Sequence, residues 1–264
     1  MISVRNGENI NIVPCGKCAF CLTNRRSQWM FRIHQEMKTQ EHPGFFLTLT
    51  YDEKHVKRTP AGLSLRFRDV QLFMKQLRKA DYYVKYICVG EYGGVTKRPH
   101  YHLLIWTDAP VHQLESIWHR GQIHFGQLTM ASAMYTLKYI IQPKQLAVDG
   151  LEPTRAQFSR GLGLLYLSSA VYHYHTADED NPVLTSRIDG RLVALPQYYR
   201  RKIFTKYQLR RVAHAMKWEM IRTHRREMRV LLKKGLTNVN SYMQRLRCDE
   251  AQRIIQTTKF NQTL

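Results

Sequence analysis

An α+β fold is predicted, with an antiparallel β-sheet, flanking helices and a basic helical C-terminal extension. Three observations predict it. Aromatic, apolar and β-branched runs at Phe45–Tyr51, Tyr83–Tyr92 and Arg98–Trp106 have the length of strands and are bounded by turn residues. The stretches between and after them carry apolar residues at helical spacing. From Pro196 onward the chain becomes densely basic, with 17 Lys+Arg over residues 200–264 against only Glu219, Glu227, Asp249 and Glu250. The expected organisation is one compact domain over residues 1–195 and a basic, mainly helical extension over residues 196–264.

Each element has its own signal. Ile10-Asn11-Ile12-Val13-Pro14 leads into the run Cys15, Cys18, Cys21, and a helix is predicted from near Lys17 through Trp29, Ile33 and Met37. His42-Pro43-Gly44 ends it, and Phe45–Tyr51 follows as a strand. Thr59-Pro60-Ala61-Gly62 is a turn, after which Asp69 can cap a helix through Val70, Phe73, Met74 and Leu77. Tyr83–Tyr92 and Arg98–Trp106 are strands joined through Gly93-Gly94, close enough to pair as an antiparallel hairpin, and the second is expected to be central in the sheet. Leu114, Ile117 and Trp118 mark a helix over residues 110–120, and Ile123-His124-Phe125 a short strand. The helix of Met134–Ile140 is expected to end at Pro143. Gly161-Leu162-Gly163 and the acidic Asp178–Pro182 are loops, and Asp189-Gly190 is a hairpin turn. The last segment is helix-compatible, with a break near Gly235.

Composition narrows the partners. The 264 residues carry 41 Lys+Arg against 20 Asp+Glu, a formal net charge of +21. Such an excess disfavours the compact state by self-repulsion and points to a polyanionic partner. The basic residues are spread along the chain instead of lining one amphipathic helix, so nucleic acid fits better than a membrane surface. No window is apolar enough to span a bilayer. The first residues lack an apolar signal core and the cysteine count is odd, which together lead to an expected cytosolic setting.

Chemistry concentrates in two places. His100 and His102 stand at i and i+2 of a strand, so both imidazoles project from one face. Such a pair can be two hydrogen-bonded core histidines. In an otherwise apolar strand, two imidazoles without a task are costly to bury. Glu91, on the preceding strand, can fold back beside them, and two histidines with one carboxylate suit a divalent ion that keeps open positions. Tyr135 and Tyr139 stand four apart on a predicted helix and can face one site. By itself this is an ordinary aromatic stripe. With Thr136 and Lys138, however, the tyrosines make a polar, basic face beside Met134, Leu137, Ile140 and Ile141. A phenol needs a nearby cation and a metal-polarised phosphate to act as a nucleophile, and Lys138 and the ion would supply them.

Four segments together resemble the rolling-circle replication initiators of microviruses, in the HUH endonuclease superfamily, with the greatest likeness to the gokushovirus type. They are Thr48-Leu49-Thr50-Tyr51, Gly90-Glu91-Tyr92-Gly93, Arg98–Ile105 and Tyr135-Thr136-Leu137-Lys138-Tyr139. Pro14-Cys15-Gly16-Lys17-Cys18 with Cys21, Arg25 and Gln28-Trp29 is similar to that group's N-terminal signature, and Leu195–Tyr199 to a late one. The resemblance covers residues 13–205. It implies an HUH core in which His100 and His102 hold Mg²⁺ or Mn²⁺, with Tyr135 and Tyr139 as nucleophiles; Glu91 as third ligand is inferred from position. It also implies a nickase that leaves a 5′-phosphotyrosine and a free 3′-OH and later rejoins the strand. The expected partners are single-stranded and replicative-form viral DNA with host helicase and polymerase, in the host cytoplasm. A transposase or relaxase with the same site, or a non-catalytic basic DNA-binding protein with a structural metal, remain alternatives. Cys15, Cys18 and Cys21 are either packing thiols on one helix face or the start of a metal site, with His34 and Cys88 as candidate further ligands.

Overall fold

The computed structural model describes residues 2–6, 9–16, 18–141 and 149–233, with isolated positions up to Arg253. In chain order the strands and helices begin with β1 (Ile2–Asn6), β2 (Asn9–Val13), α1 (Ala19–Thr39), β3 (Gly44–Leu49), β4 (Lys57–Thr59) and β5 (Gly62–Ser64). Next come α2 (Phe67–Lys79), β6 (Lys85–Tyr92), β7 (Pro99–Trp106), α3 (Val111–Trp118), β8 (Ile123–Gln127), α4 (Met130–Ile141) and β9 (Ala156–Phe158). A 3₁₀ turn at Leu164–Tyr166 precedes α5 (Ser169–Thr176), β10 (Thr185–Ile188), β11 (Arg191–Ala194), α6 (Gln197–Ile203) and α7 (Lys206–Lys233). The expected helix stop at Pro143, the helix start at Lys17 and Cys248 lie outside the described residues. Two compact units form, one from Arg32–Leu165 and the other from Met1–Phe31 with Tyr166–Leu264.

The first unit holds a five-stranded sheet in the order β8-β3-β7-β6-β9, with every neighbouring pair antiparallel. The predicted central position of the His-x-His strand is therefore observed. On one face of β7, Tyr101, Leu103 and Ile105 are buried in a cluster with Val70, Phe73, Met74 and Leu77 of α2 and Leu114 and Trp118 of α3. Each such aliphatic side chain contributes roughly 1.5–3 kcal/mol by leaving water. The amphipathic spacing read from the sequence thus turns α2 and α3 toward the sheet.

A buried polar network ties that core to the strand. The Tyr51 hydroxyl donates to Asp69 Oδ2 at 2.9 Å and lies 3.1 Å from the Tyr101 hydroxyl, which accepts from the Arg66 backbone N–H at 2.6 Å. Asp69 does not cap α2 as its sequence position suggests. It sits inside the first turn, its carboxylate buried, with the Arg120 guanidinium at 3.4 Å. The helix begins earlier because Phe67 is fully buried against Tyr101, and Glu152 accepts the Phe67 N–H at 3.2 Å. A carboxylate from a distant segment takes the place of a local cap.

The second unit contains two hairpins, β1–β2 and β10–β11. Asp189 and Gly190 adopt φ of 48° and 77°, the left-handed pair that a two-residue Asp-Gly turn demands. Phe31, Leu195, Tyr199, Ile203 and Phe204 form its core. His175 is buried within this unit, its Nδ1–H donating to the Val183 carbonyl at 2.6 Å and its Nε2 3.0 Å from the Tyr166 hydroxyl. Gly235, the expected helix break, has φ of 80° just beyond α7. Among the described residues no helix is long and apolar enough to cross a membrane.

Two stability outcomes follow. A Cβ at Gly90 would meet Phe67 Cζ at 2.8 Å and Leu65 Cδ1 at 3.0 Å, both in fully buried side chains that cannot yield. Gly90→Ala is expected to lower unfolding stability by about 1–3 kcal/mol, read by urea denaturation; an unchanged midpoint would contradict this overpacking argument. Burial also pushes the His175 imidazole below its ordinary value, only partly offset by the bond to Val183. The folded state therefore favours neutral His175, so its contribution is complete above the unfolded pKa and is lost as pH falls through the folded one. Between about pH 7 and pH 5 the melting temperature should drop further in the native chain than in His175→Gln. Parallel curves would count against it.

Candidate active site

Register places the three candidate ligands before any side chain is considered. In the β6–β7 hairpin Glu91 lies directly opposite His100, and Val89 opposite His102. Directly opposed residues project from the same face, so Glu91 and both histidines share the face that Tyr101 does not use. On the other edge of β7, Thr48 of β3 is opposite His102.

The side chains complete the convergence. His102 Nε2 is 3.2 Å and His100 Nε2 3.4 Å from the same oxygen, Glu91 Oε2. One ligand atom from each of the three residues lies within 4.8 Å of the others. Ligands at right angles around an ion at ~2.1 Å stand ~3.0 Å apart, so this set fits three adjacent positions of one octahedral divalent ion and leaves three open. The other ring nitrogens are also engaged. His100 Nδ1 donates to the Arg98 carbonyl at 3.2 Å, and His102 Nδ1 is 3.1 Å from Thr48 Oγ1. A proton held on Nδ1 leaves the Nε2 lone pair aimed at the site.

The electrostatics show a site that attracts positive charge. Burial would raise the Glu91 carboxyl, but hydrogen bonds from His100, His102 and Tyr139 hold it well below the usual carboxylate range. Burial opposes charge on His100 as well, yet Glu91 and the Arg98 carbonyl lift it above its ordinary value. His102, more deeply buried, is pushed down, with His100 and Lys138 adding to the effect of burial. The carboxylate is thus ionised and the histidines compete to offer it a proton.

Helix α4 brings the tyrosines to this face. The Tyr139 hydroxyl donates to the Tyr135 hydroxyl at 3.0 Å. The His102 ring is edge-on to Tyr135 at 5.1 Å and stacked on Tyr139 at 5.9 Å. Lys138 Nζ sits over both rings, 3.7 Å from the Tyr135 centroid and 4.6 Å from that of Tyr139. Burial, then the contacts with Glu91 and Tyr135, raise the Tyr139 phenol far above its ordinary range. All six residues singled out in the sequence therefore meet in one place, where two hydroxyls, an ammonium and a divalent-ion ligand set face the same volume.

One expected neighbour does not belong there. The sequence groups Thr136 with the polar face of α4, but it is fully buried and its hydroxyl bonds back to the Ser132 carbonyl at 3.0 Å. A threonine inside a helix can satisfy its hydroxyl on the preceding turn and so behave as a core residue. Two contributors escaped the sequence. Thr48 orients His102, and Phe46, two residues earlier on the same face, stacks on the His102 ring at 5.6 Å and meets Tyr135 edge-on at 6.2 Å. Strand alternation marks both as same-face residues, but only the β3–β7 register shows which face.

Elsewhere, Cys15 and Cys18 precede α1 and only Cys21 is helical, so the three do not form the expected helical stripe. Their sulfurs nevertheless converge, with Cys15 Sγ and Cys21 Sγ 3.8 Å apart. His34 and Cys88 are not part of that cluster. On α7, Tyr207 and Trp218 are exposed beside a succession of Arg and Lys.

Residues 44–144 match the model of the replication-associated protein family named for ORF2. The chain is 27% identical over 225 residues to the replication-associated protein ORF2 of Spiroplasma virus 4, covering 74% of this chain and 69% of that one. It is 32% identical over 152 residues to the replication-associated protein VP4 of Bdellovibrio phage phiMH2K, covering 48% and 47% of the two chains. To the replication-associated protein ORF4 of Chlamydia phage 1 it is 25% identical over 223 residues, covering 71% and 52%. The chain thus spans about half the length of the last two relatives. No solved structure matches it.

Proposed function

Because the chain belongs, through residues 44–144, to the ORF2 family of replication-associated proteins, we propose that it is a metal-dependent tyrosine endonuclease and strand transferase. In this reading it initiates rolling-circle replication of a circular phage genome through an HUH-type site. The observation that carries this reading is the meeting of two tyrosine hydroxyls, 3.0 Å apart, with the Glu91–His100–His102 cluster against a shared His102 ring. A structural metal site has no need of paired hydroxyls beside it.

A divalent ion held by Glu91, His100 and His102 would polarise a scissile phosphate and neutralise charge developing on its oxygens. The other roles fall to the chain's own groups. One phenol oxygen attacks phosphorus as its proton departs. The P–O3′ bond breaks, leaving a 5′-phosphotyrosine and a 3′-hydroxyl that a host polymerase can extend. Lys138, over both rings, offsets the negative charge a phenol gains as it attacks. Since the hydroxyls are adjacent, the second tyrosine reaches the same phosphate position while the first is occupied. Cutting the regenerated origin and transferring the strand end then needs no rebuilding of the site. Residues 196–264, basic and carrying exposed Tyr207 and Trp218, are assigned to holding the viral DNA by phosphate contacts and base stacking.

Incubation with a single-stranded oligonucleotide carrying the origin, plus Mn²⁺, is expected to yield a covalent protein–DNA adduct on a denaturing gel. Tyr135→Phe and Tyr139→Phe should each retain cleavage and the double variant should lose it. Absence of any adduct under every divalent ion tried would falsify the assignment. Loss of all cleavage in one single variant would replace paired nucleophiles with one. Thr48→Val should weaken Mn²⁺ binding by about 10–100-fold, as expected when the partner of a ligating histidine is removed. Isothermal titration at constant pH measures this, and an unchanged affinity would show that Thr48 does not orient His102.

A further inference from the structure

Three sulfurs converge in the second unit, far along the chain from the residues described above. Cys15, Cys18 and Cys21 bring their Sγ atoms within 4.8 Å of one another, and the Cys15–Cys21 separation is 3.8 Å. Thiolates bound to one tetrahedral Zn²⁺ at ~2.3 Å stand ~3.8 Å apart. The spacing matches a single ion. In an iron–sulfur cluster each cysteine ligates a different iron, which sets the sulfurs at separate corners and much further apart. Three convergent thiols also cannot all be paired as disulfides.

The backbone is arranged to serve these sulfurs. Gly16 has φ of 74°, and that left-handed turn doubles the chain back so that the Cys18 N–H donates to Cys15 Sγ at 3.4 Å. A donated N–H stabilises a thiolate over a thiol. The Leu22 N–H bonds to the Cys18 carbonyl at 3.0 Å, so Cys18 stands at the start of α1 and Cys21 in its first turn. There the positive end of the helix dipole favours negative sulfur. Packing alone does not account for this arrangement: Cys15 and Cys18 are only half-buried, unlike Cys88, which is fully enclosed in the sheet. His34 cannot complete the set, because on the same helix it lies ~20 Å beyond Cys21 at 1.5 Å per residue.

We propose that Cys15, Cys18 and Cys21 are ligands of a second metal site, selective for one thiophilic ion of the Zn²⁺ class, with water or a group beyond the described residues in the fourth position. The ion clips the segment before α1 to the first turn of that helix. It is chemically distinct from the nitrogen–oxygen site of Glu91, His100 and His102 and does not rest on the function proposed for that site.

The test is metal analysis of the full chain purified under reducing conditions from zinc-supplemented culture. One zinc per chain is expected. It should persist in His100→Ala/His102→Ala and fall to none in Cys15→Ser/Cys21→Ser. Should the serine variant fail to fold, the native chain still decides. Cobalt substitution should produce a sulfur-to-metal charge-transfer band, and a mercurial reagent should release the zinc as the thiols are titrated. A native chain without zinc, zinc retained by the serine variant, cobalt without that band, or iron and sulfide in place of zinc would each overturn the proposal.

Discussion

The site depends on β7 being hydrogen-bonded along both edges. Paired with β3 on one side and β6 on the other, the strand has no freedom to slide. Its alternation divides the labour: Tyr101, Leu103 and Ile105 enter the core while His100 and His102 face the other way. A slip of one residue between β6 and β7 would turn Glu91 to the opposite face and bury it against α2. The core packing of β7 opposes that slip, so the hydrophobic core is also what aligns the polar cluster.

Tyr101 shows how closely the two faces are linked. Between the histidines in sequence, it reads as an apolar spacer, yet its hydroxyl accepts the Arg66 N–H and meets Tyr51, which in turn donates to Asp69. An unpaired hydroxyl at this depth would be costly, and pairing it ties β7 to β3's extension and to the start of α2. The rigidity of the histidine pair is thus secured from behind. On the front, Thr48 and the Arg98 carbonyl hold the two rings by their Nδ1 atoms. Both Nε2 atoms are left to converge on one carboxylate oxygen.

Charge supplies the second constraint. A chain carrying +21 keeps few acids to spare, and Glu91 is kept ionised in a half-buried position among groups that favour its charge. Lys138 lies over the tyrosine rings, so its ammonium is held by their π faces. The result is a small negative focus inside a positively charged protein. That polarity suits a cation at the centre and a polyanion around it.

Much of this was legible in one dimension. The strands at Phe45–Tyr51, Tyr83–Tyr92 and Arg98–Trp106, the hairpin between the last two, the Asp189-Gly190 turn and the pairing of Tyr135 with Tyr139 all follow from short-range periodicity and turn chemistry. These are local rules that sequence states directly. The errors share a cause. Asp69 reads as a cap, Thr136 as a surface residue and the cysteines as a helical stripe, because propensity describes a segment without its neighbours. Glu152, the Ser132 carbonyl and the left-handed Gly16 decide otherwise. The sequence by itself determined which residues carry the chemistry and which face of its element each occupies. Only the tertiary structure decided that Glu91, His100, His102, Tyr135, Lys138 and Tyr139 share one volume, and that Thr48 and Phe46 belong with them. That meeting depends on strand register and on the seating of α4 over β7, both long-range packing outcomes that no local pattern encodes.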